Sequence, residues 1–192
     1  VTGLALSTAA GLNAYIPMLV VGLLARYTDA VHLPSQFGWL SHGWVIAVVA
    51  VLLAAEIVLD KVALVDHVND AIQTFVRPAA GGAVFAATTA ARQVDSSSFM
   101  RHNAWITWGL GITVALIVHL TKAGVRPLVN ASTLGTGTPV VSTVEDAISL
   151  AMSLLAILFP VIALIALIIF AYLALRLIRM ALRRRRRLAS KQ

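Results

Sequence analysis

The sequence contains no cysteine and few charged residues. Without cysteine the chain cannot form a disulfide, a thiolate nucleophile, a thiolate zinc site or a cysteine-held iron–sulfur cluster. Charged residues make up 12% of the 192 residues and apolar residues 59%, whereas soluble domains carry about 25% charged residues. So little charge cannot cover a water-soluble surface. We therefore expect an all-α integral membrane protein that forms one compact helical bundle.

The sequence also lacks the common signatures of catalysis and of cofactor binding. It contains no GxSxG, P-loop, dinucleotide-binding or HExxH pattern. The five histidines, at positions 32, 42, 67, 102 and 119, are too scattered to predict a metal site. We expect no enzymatic activity, no cofactor and no bound metal.

Positive charge is concentrated near the C-terminal end of the sequence. Eight of the 15 Lys and Arg residues lie between Arg176 and Lys191, so residues 1–175 carry seven basic against eight acidic residues. A run of arginines after an apolar helix is the positive-inside signal. We interpret the run as a topology anchor and expect no nucleic-acid partner. The predicted organisation is a transmembrane domain, residues 1–178, and a basic cytoplasmic tail, residues 179–192, in the inner (cell) membrane.

Long uncharged runs predict the membrane-spanning helices. Residues 1–25 and 147–175 both exceed the length of about 20 residues that a span needs. Residues 103–120 contain His119 as their only ionisable group and predict another span.

Two shorter runs are harder to interpret. Residues 43–55 are uncharged but short, so a span there must take Glu56 into the membrane. Residues 78–91 could form a thin crossing, a re-entrant half-helix or a buried packing helix. We favour about five crossings, because the acidic stretch after Glu56 then shares a side with Lys122 and Arg126.

The first predicted span contains an interruption. Gly11, Asn13 and Pro17 lie within seven residues, which predicts a broken or kinked helix with a polar amide at membrane depth. The Asn13 side chain could bind an ion or solute, or it could satisfy backbone groups that the break frees.

The region before the last predicted span is polar. Residues 130–139 could line a pore with backbone groups or form a plain external loop. Ser142 and Glu145 have the spacing of a capping box and predict the start of the last helix. Pro160 predicts a bend midway along that helix.

Ionisable residues form two stripes of opposite sign. At about 100° per residue, the spacings within each stripe place its members on one face of a continuous helix. Charges at this depth must face the bundle interior, a partner or water. The stripes could line a transport route, or they could only pair and hold the bundle together. The acidic stripe is Glu56, Asp60, His67 and Asp70, and the basic stripe is His119, Lys122 and Arg126.

Several motifs together resemble a known membrane family. The motifs are Gly11-Leu-Asn13-Ala-Tyr15-x-Pro17, Glu56-x3-Asp60-Lys61 with Asp66 and Asp70, Arg77-Pro78, His119-x2-Lys122-x3-Arg126 and Pro139-x2-Ser142-x2-Glu145-Asp146. Over nearly the whole chain, this combination resembles the small bacterial membrane family called domain of unknown function 4126. The resemblance implies a multi-pass helical protein and no settled activity. Val76-Arg77-Pro78 also recurs as Val125-Arg126-Pro127, which leaves an inverted repeat open.

These observations favour a small permease or channel-like transporter for a small polar or charged solute. Proton coupling is an open option, because a carboxyl group held in a low dielectric can take up and release a proton near neutral pH. The alternative is a non-transporting accessory or structural subunit whose basic tail docks a partner or anionic lipid. Expected partners are membrane lipid, a small solute or ion, and further copies of the chain in a homo-oligomer. The candidate pathway residues are Asn13, Tyr15, Glu56, Asp60, Asp70, His119, Lys122, Arg126, Asn130, Glu145 and Asp146.

Overall fold

The computed structural model describes residues 1–61, 63–91, 99, 103–133 and 137–189, and every regular element in these residues is helical. Within them, the side chains described exclude those of residues 63–68, 70, 127–132, 174, 177–178 and 181–189. The helices are α1 (Thr2–Leu12), α2 (Tyr15–Tyr27), a 3-10 helix (Ser35–Ser41), α3 (Gly43–Leu59), α4 (Ala63–Ala90), α5 (Ala104–Thr133), α6 (Thr138–Leu158) and α7 (Pro160–Ala189).

Two of these helices are long and apolar enough to cross a membrane: the Ala104–Arg126 part of α5, and α6. The 3-10 helix and α3 would make a third span if the pair, bent by 56°, is counted as one. By length and composition, these helices indicate a membrane protein. The helices α1, α2 and the Pro160–Leu173 part of α7 are apolar but shorter.

The first predicted span is broken, as its sequence indicates. Helix α1 ends at Leu12 and α2 begins at Tyr15, with Asn13 in an extended conformation (φ −145°, ψ 121°). Asn13 Oδ1 accepts hydrogen bonds from the backbone N–H groups of Tyr15 (3.0 Å) and Ile16 (3.2 Å). The side chain thus satisfies donors at the start of α2 that the break leaves free.

Helix α1 forms the centre of the bundle. Its residues are buried on nearly all sides, and it packs against α4, α5 and α6. The helix is rich in Gly, Ala, Ser and Thr, and such small residues let helix backbones approach closely in membrane proteins. Ser7 Oγ donates to Gly81 O of α4 (3.0 Å), and Ser149 Oγ of α6 donates to Ala9 O (3.0 Å). These bonds fix α1 against two of its neighbours.

Helices α4 and α5 cross at glycines. A Cβ atom added to Gly81 would lie 2.9 Å from Gly111 O, and one added to Gly111 would lie 2.8 Å from Gly82 Cα. A Cβ added to Gly11 of α1 would lie 2.6 Å from Ala115 O. The three backbones therefore meet at a distance that only glycine permits, and this brings α1, α4 and α5 close together.

In the middle of the chain, the structure contradicts one prediction and favours one of the alternatives left open by another. The acidic stripe does not lie on one continuous helix, because α3 ends at Leu59 and α4 begins at Ala63. The chain turns next to Asp60, whose carboxylate binds cations of other helices, and these contacts override local helix continuity. Residues 78–91, for which the sequence leaves open a thin crossing, a re-entrant half-helix or a buried packing helix, continue the 28-residue α4, with Pro78 inside the helix. Residues 80–89 are buried, which agrees with a buried packing helix. Packing against α1 and α5 offsets the local cost of a proline inside the helix.

In the last third of the chain, one prediction is wrong and two are modified. Ser142 is not a helix cap, because α6 begins at Thr138 with a proline in its first turn, a position that favours helix initiation. The stretch 130–139 is not one loop, since both ends are helical and residues 134–136 lie outside the described part. The last apolar run is irregular at Pro160, as its sequence predicts, but the irregularity is an interruption and not a bend within one helix. It breaks at Phe159 (φ −139°, ψ 68°), since the residue before Pro160 disfavours the α conformation.

The proposed boundary between residues 178 and 179 lies within the backbone of α7. The division into a membrane domain and a basic tail therefore stays a prediction.

Candidate functional site: a buried ion cluster

Helices α3, α4, α5 and α6 bring seven ionisable side chains together, here called the ion cluster. Most of them are 5% exposed or less, and the Glu145 side chain is 14% exposed. A charge buried in a low-dielectric interior requires a partner of opposite sign and further hydrogen bonds. The members are Glu56 and Asp60 at the end of α3, Arg77 of α4, His119, Lys122 and Arg126 of α5, and Glu145 of α6.

Asp60 is the centre of the ion cluster. Its Oδ2 atom lies 3.0 Å from Arg126 Nη2, 3.3 Å from Lys122 Nζ and 3.7 Å from Arg77 Nη2. Its Oδ1 atom accepts a hydrogen bond from Asn69 Nδ2. One carboxylate therefore has cations from both α4 and α5 around it, and the predicted acidic and basic stripes meet here.

Lys122 connects the ion cluster to the break in the first span. Its Nζ atom donates to Leu12 O (3.0 Å), the last residue of α1, and lies 3.0 Å from Glu145 Oε2. With Asp60, these oxygens surround the ammonium group, which has three N–H donors. The carbonyl end of a helix carries a partial negative charge, so α1 itself stabilises this lysine.

Two adjacent carboxylates of α6, Glu145 and Asp146, connect this helix to α5 and to the break between α1 and α2. Glu145 Oε2 accepts a hydrogen bond from Arg126 Nη2 at 2.9 Å. Asp146 Oδ1 accepts one from Asn13 Nδ2, also at 2.9 Å. Asn13 thus has two roles, since its oxygen caps α2 and its amide nitrogen binds a carboxylate across the bundle.

Arg77 links Glu56 to His119. Arg77 Nη2 donates to Glu56 Oε1 at 2.9 Å, and Arg77 Nη1 lies 3.1 Å from His119 Nδ1. A guanidinium group can only donate, so His119 Nδ1 must accept, and the ring proton is on Nε2. His119 Nε2 then donates to Thr74 Oγ1 (2.9 Å). The hydrogen bonds therefore assign His119 as a neutral imidazole.

Some buried polar atoms in and beside the ion cluster have no hydrogen-bond partner among the described residues. They are Glu56 Oε2, Gln73 Oε1, Arg77 Nε and Ser142 Oγ. Native structures pair the large majority of buried polar atoms. Three of these atoms belong to Glu56, to Arg77, which binds Glu56, and to Gln73, one helix turn before Arg77. Such a group of unpaired atoms is the property expected of a region that accommodates water, a proton or a small ligand.

Exposed aliphatic and aromatic side chains surround the ion cluster at the same level of each helix. Val58 (62% exposed) is close to Glu56 on α3, and Phe75 (80%) precedes Arg77 by two residues on α4. Ile117 (59%) and Val144 (51%) are similarly close to His119 and Glu145. An exposed apolar surface of this extent is typical of contact with lipid. Each helix therefore presents charge inward and apolar side chains outward at this depth.

The family model described as Domain of unknown function (DUF4126) matches residues 1–180. The chain belongs to this family. The match includes every residue of the ion cluster, and it confirms the resemblance predicted from the sequence motifs. Neither a search of curated proteins nor a search of solved structures returns a match.

The structure locates most of the predicted pathway residues of this DUF4126 protein. Asn13, Asp146 and the predicted members of the ion cluster lie together, as described above. Tyr15 is partly buried at the start of α2. The Asp70 and Asn130 side chains lie outside the described part. The role of these residues in a pathway stays a prediction.

Sequence reasoning did not select the polar face of α4. Asn69, Gln73 and Arg77 are each 5% exposed or less and contact or border the ion cluster. Their spacing of four residues is the signal that could have identified them, because residues four apart share one face of a helix. Arg77 was recognised only through its Arg-Pro motif.

Proposed function

We propose that this DUF4126 protein is a small membrane transporter for a small polar or charged solute, and that the solute passes next to the ion cluster. The observation that carries the proposal is a network of buried charges that surrounds a broken helix and is enclosed by lipid-facing apolar side chains. Ionisable groups within a membrane are expensive, and they mark ion and solute pathways more often than not.

The break between α1 and α2 supports transport. Discontinuous helices at the membrane midplane are a recurrent element of transporter binding sites, because their ends present free backbone groups to the solute. Here Lys122 binds the last carbonyl of α1, and Asn13 caps the first turn of α2. Both ends of the break are therefore held by side chains that a solute could displace.

The pairing of Asp60 supports a movable network. Arg126 and Lys122 each contact both Asp60 and Glu145. Cations with two alternative anions can remain paired while α6 moves relative to α3. Such exchange lowers the cost of moving between two arrangements, because no charge is left without a partner.

Further features belong to the same proposal. We propose about five crossings in the inner membrane, with the arginine-rich end in the cytoplasm by the positive-inside rule. An inverted repeat has one point of support: Arg77 and Arg126, from the two Arg-Pro motifs, both contact Asp60. We also propose a homo-oligomer, in which the exposed aliphatic side chains of α7 face lipid or another copy of the chain.

For proton coupling, we propose Glu56 as the residue that would take up and release the proton.

The alternative function is a structural subunit without transport. Its support is that three cations surround Asp60. A network that only holds the helices together would show the same ion pairs as a transporter in its closed state. In that case the basic tail would bind a partner or anionic lipid.

Flux into sealed vesicles tests the proposal. Purified protein is reconstituted with an acid-loaded interior and is offered a panel of inorganic cations, anions and amino acids. We expect uptake of one solute class above protein-free vesicles, abolished in Glu56→Gln. The control is Asp29→Asn, since the Asp29 side chain is fully exposed (103%). If the parent protein moves no solute, while paired substitutions in the ion cluster show strong stability coupling, the structural alternative replaces transport.

A further inference from the structure

Two buried acceptor atoms, one on a residue that binds Arg77 and one on the preceding turn of α4, have no donor among the described residues. Glu56 and Gln73 are each 2% exposed, and Glu56 Oε2 and Gln73 Oε1 have no hydrogen-bond partner among the described residues. A buried carboxylate oxygen without a donor costs substantial free energy. Something with positive charge or a donor hydrogen is therefore expected at this position.

The contacts of these residues place them in one region beside the helix break. Glu56 Oε1 accepts from Arg77 Nη2 at 2.9 Å, and Gln73 precedes Arg77 by one turn on the same face of α4. Tyr15, the first residue of α2, is hydrogen-bonded through its side chain to Gln73 and lies within electrostatic range of Glu56. The region is thus enclosed by α2, α3 and α4.

We propose that Glu56, Gln73 and Tyr15 form a binding site for a small monovalent cation, an alkali ion or ammonium. The side-chain oxygens of these residues suit a cation better than an anion. Arg77 binds the other oxygen of Glu56, so only one carboxylate oxygen is available to a bound cation. One carboxylate oxygen suits a monovalent cation better than a divalent one. As a binding site the inference stands alone, and as the solute class of the transporter it rests on the proposed function.

Thermal unfolding in detergent tests the site without any transport measurement. The parent protein is melted in choline chloride, and Na⁺, K⁺ or ammonium chloride replaces choline at constant ionic strength. We expect at least one of these cations to raise the Tm saturably, by about 5–10 °C at a concentration of 100 times Kd. The comparison among the three salts identifies which cation the site prefers.

Three variants locate the effect. The shift should disappear in Glu56→Gln and in Gln73→Leu, and it should persist in Asp29→Asn. Equilibrium binding of radioactive sodium or rubidium to the parent protein, with a stoichiometry near one per chain when that ion is the preferred one, supports the site even if a variant does not fold. The proposal would be overturned if none of the three cations changes the Tm of the parent protein, or if Glu56→Gln shows the same Tm shift as the parent.

The site and the transport function can fail separately. Cation-dependent stabilisation without flux of any solute would retain the site and contradict transport. Flux without cation-dependent stabilisation would retain transport and contradict the site.

Discussion

Substitution of Asp60 by asparagine removes the charge at the centre of the ion cluster and changes the side-chain volume very little. The carboxylate is 1% exposed and lies 3.0 Å from Arg126, 3.3 Å from Lys122 and 3.7 Å from Arg77. In Asp60→Asn these cations lose their shared anion, while the helices and the packing around them remain. The variant therefore isolates the electrostatic part of the network.

The expected cost follows from the partners that remain. Removing one member of a buried ion pair destabilises a protein by about 3–5 kcal/mol. Lys122 and Arg126 keep Glu145, and Arg77 keeps Glu56, so we expect the lower end, about 3 kcal/mol. For a chain of this size, 1 kcal/mol corresponds to about 2–4 °C in Tm. The Tm of Asp60→Asn should therefore fall by about 6–12 °C.

Thermal melting of the purified protein in detergent measures this difference, with Asp29→Asn as the matched control. The control removes one carboxylate that is fully exposed, so its Tm should equal that of the parent. A further variant, Asp60→Asn with Lys122→Met, should regain part of the loss, because it removes a cation together with its anion. An unchanged Tm in Asp60→Asn would refute the reasoning, since it would mean that water compensates the cations.

Other predictions concern the helix crossing at Gly111, the helix break at Asn13 and the buried Lys122. Gly111→Ala should lower the Tm, with an overpacking cost of about 1–3 kcal/mol, because the new Cβ would meet the backbone of α4. Gly109→Ala should not, because beyond its own stretch of helix no described atom lies within 4 Å of the new Cβ. Asn13→Ala should cost about 1–2 kcal/mol in the same melting assay, since it removes the cap of α2. Lys122→Ala should melt lower than the parent and regain stability in methylammonium chloride, which can replace the lost ammonium group, but not in tetramethylammonium chloride. Lys61→Ala should respond equally to both salts, because Lys61 donates to a carbonyl of its own helix.

The sequence predicts the membrane class, the broken first span and the burial of Glu56 because each has a local cause. Sparse charge excludes a soluble surface, and Gly11, Asn13 and Pro17 interrupt a helix wherever it packs. A short uncharged run before Glu56 leaves this residue little access to water. Such features depend on neighbours in sequence alone.

Helix boundaries and pair geometry depend on the whole bundle. Pro78 does not end α4, because contacts with α1 and α5 compensate for its effect on the helix. Ser142 and Glu145 fit a capping box, yet Glu145 instead binds Lys122 and Arg126. The contacts of Asp60 with cations of α4 and α5 could not be predicted from the sequence. Residue spacing shows which side chains share one face of a helix, but it does not show which other helix packs against that face.

The most direct test of the central claim asks whether water and solutes reach the ion cluster from within the bundle while lipid covers its outer surface. The sequence contains no cysteine, so one introduced thiol can be labelled without background. Ser142 is fully buried one turn before Asp146, and its Oγ atom has no hydrogen-bond partner among the described residues. Val144 on the same helix is 51% exposed on the surface assigned to lipid.

The measurement is labelling of Ser142→Cys and Val144→Cys by a charged thiol reagent in reconstituted vesicles. Thiols react as thiolates, which require water, so the account predicts labelling at residue 142 and little at residue 144. Addition of the transported solute should slow labelling at residue 142. Rapid labelling of Val144→Cys together with an inert Ser142→Cys would contradict the account, because the exposed surface would then face water and the ion cluster would be sealed.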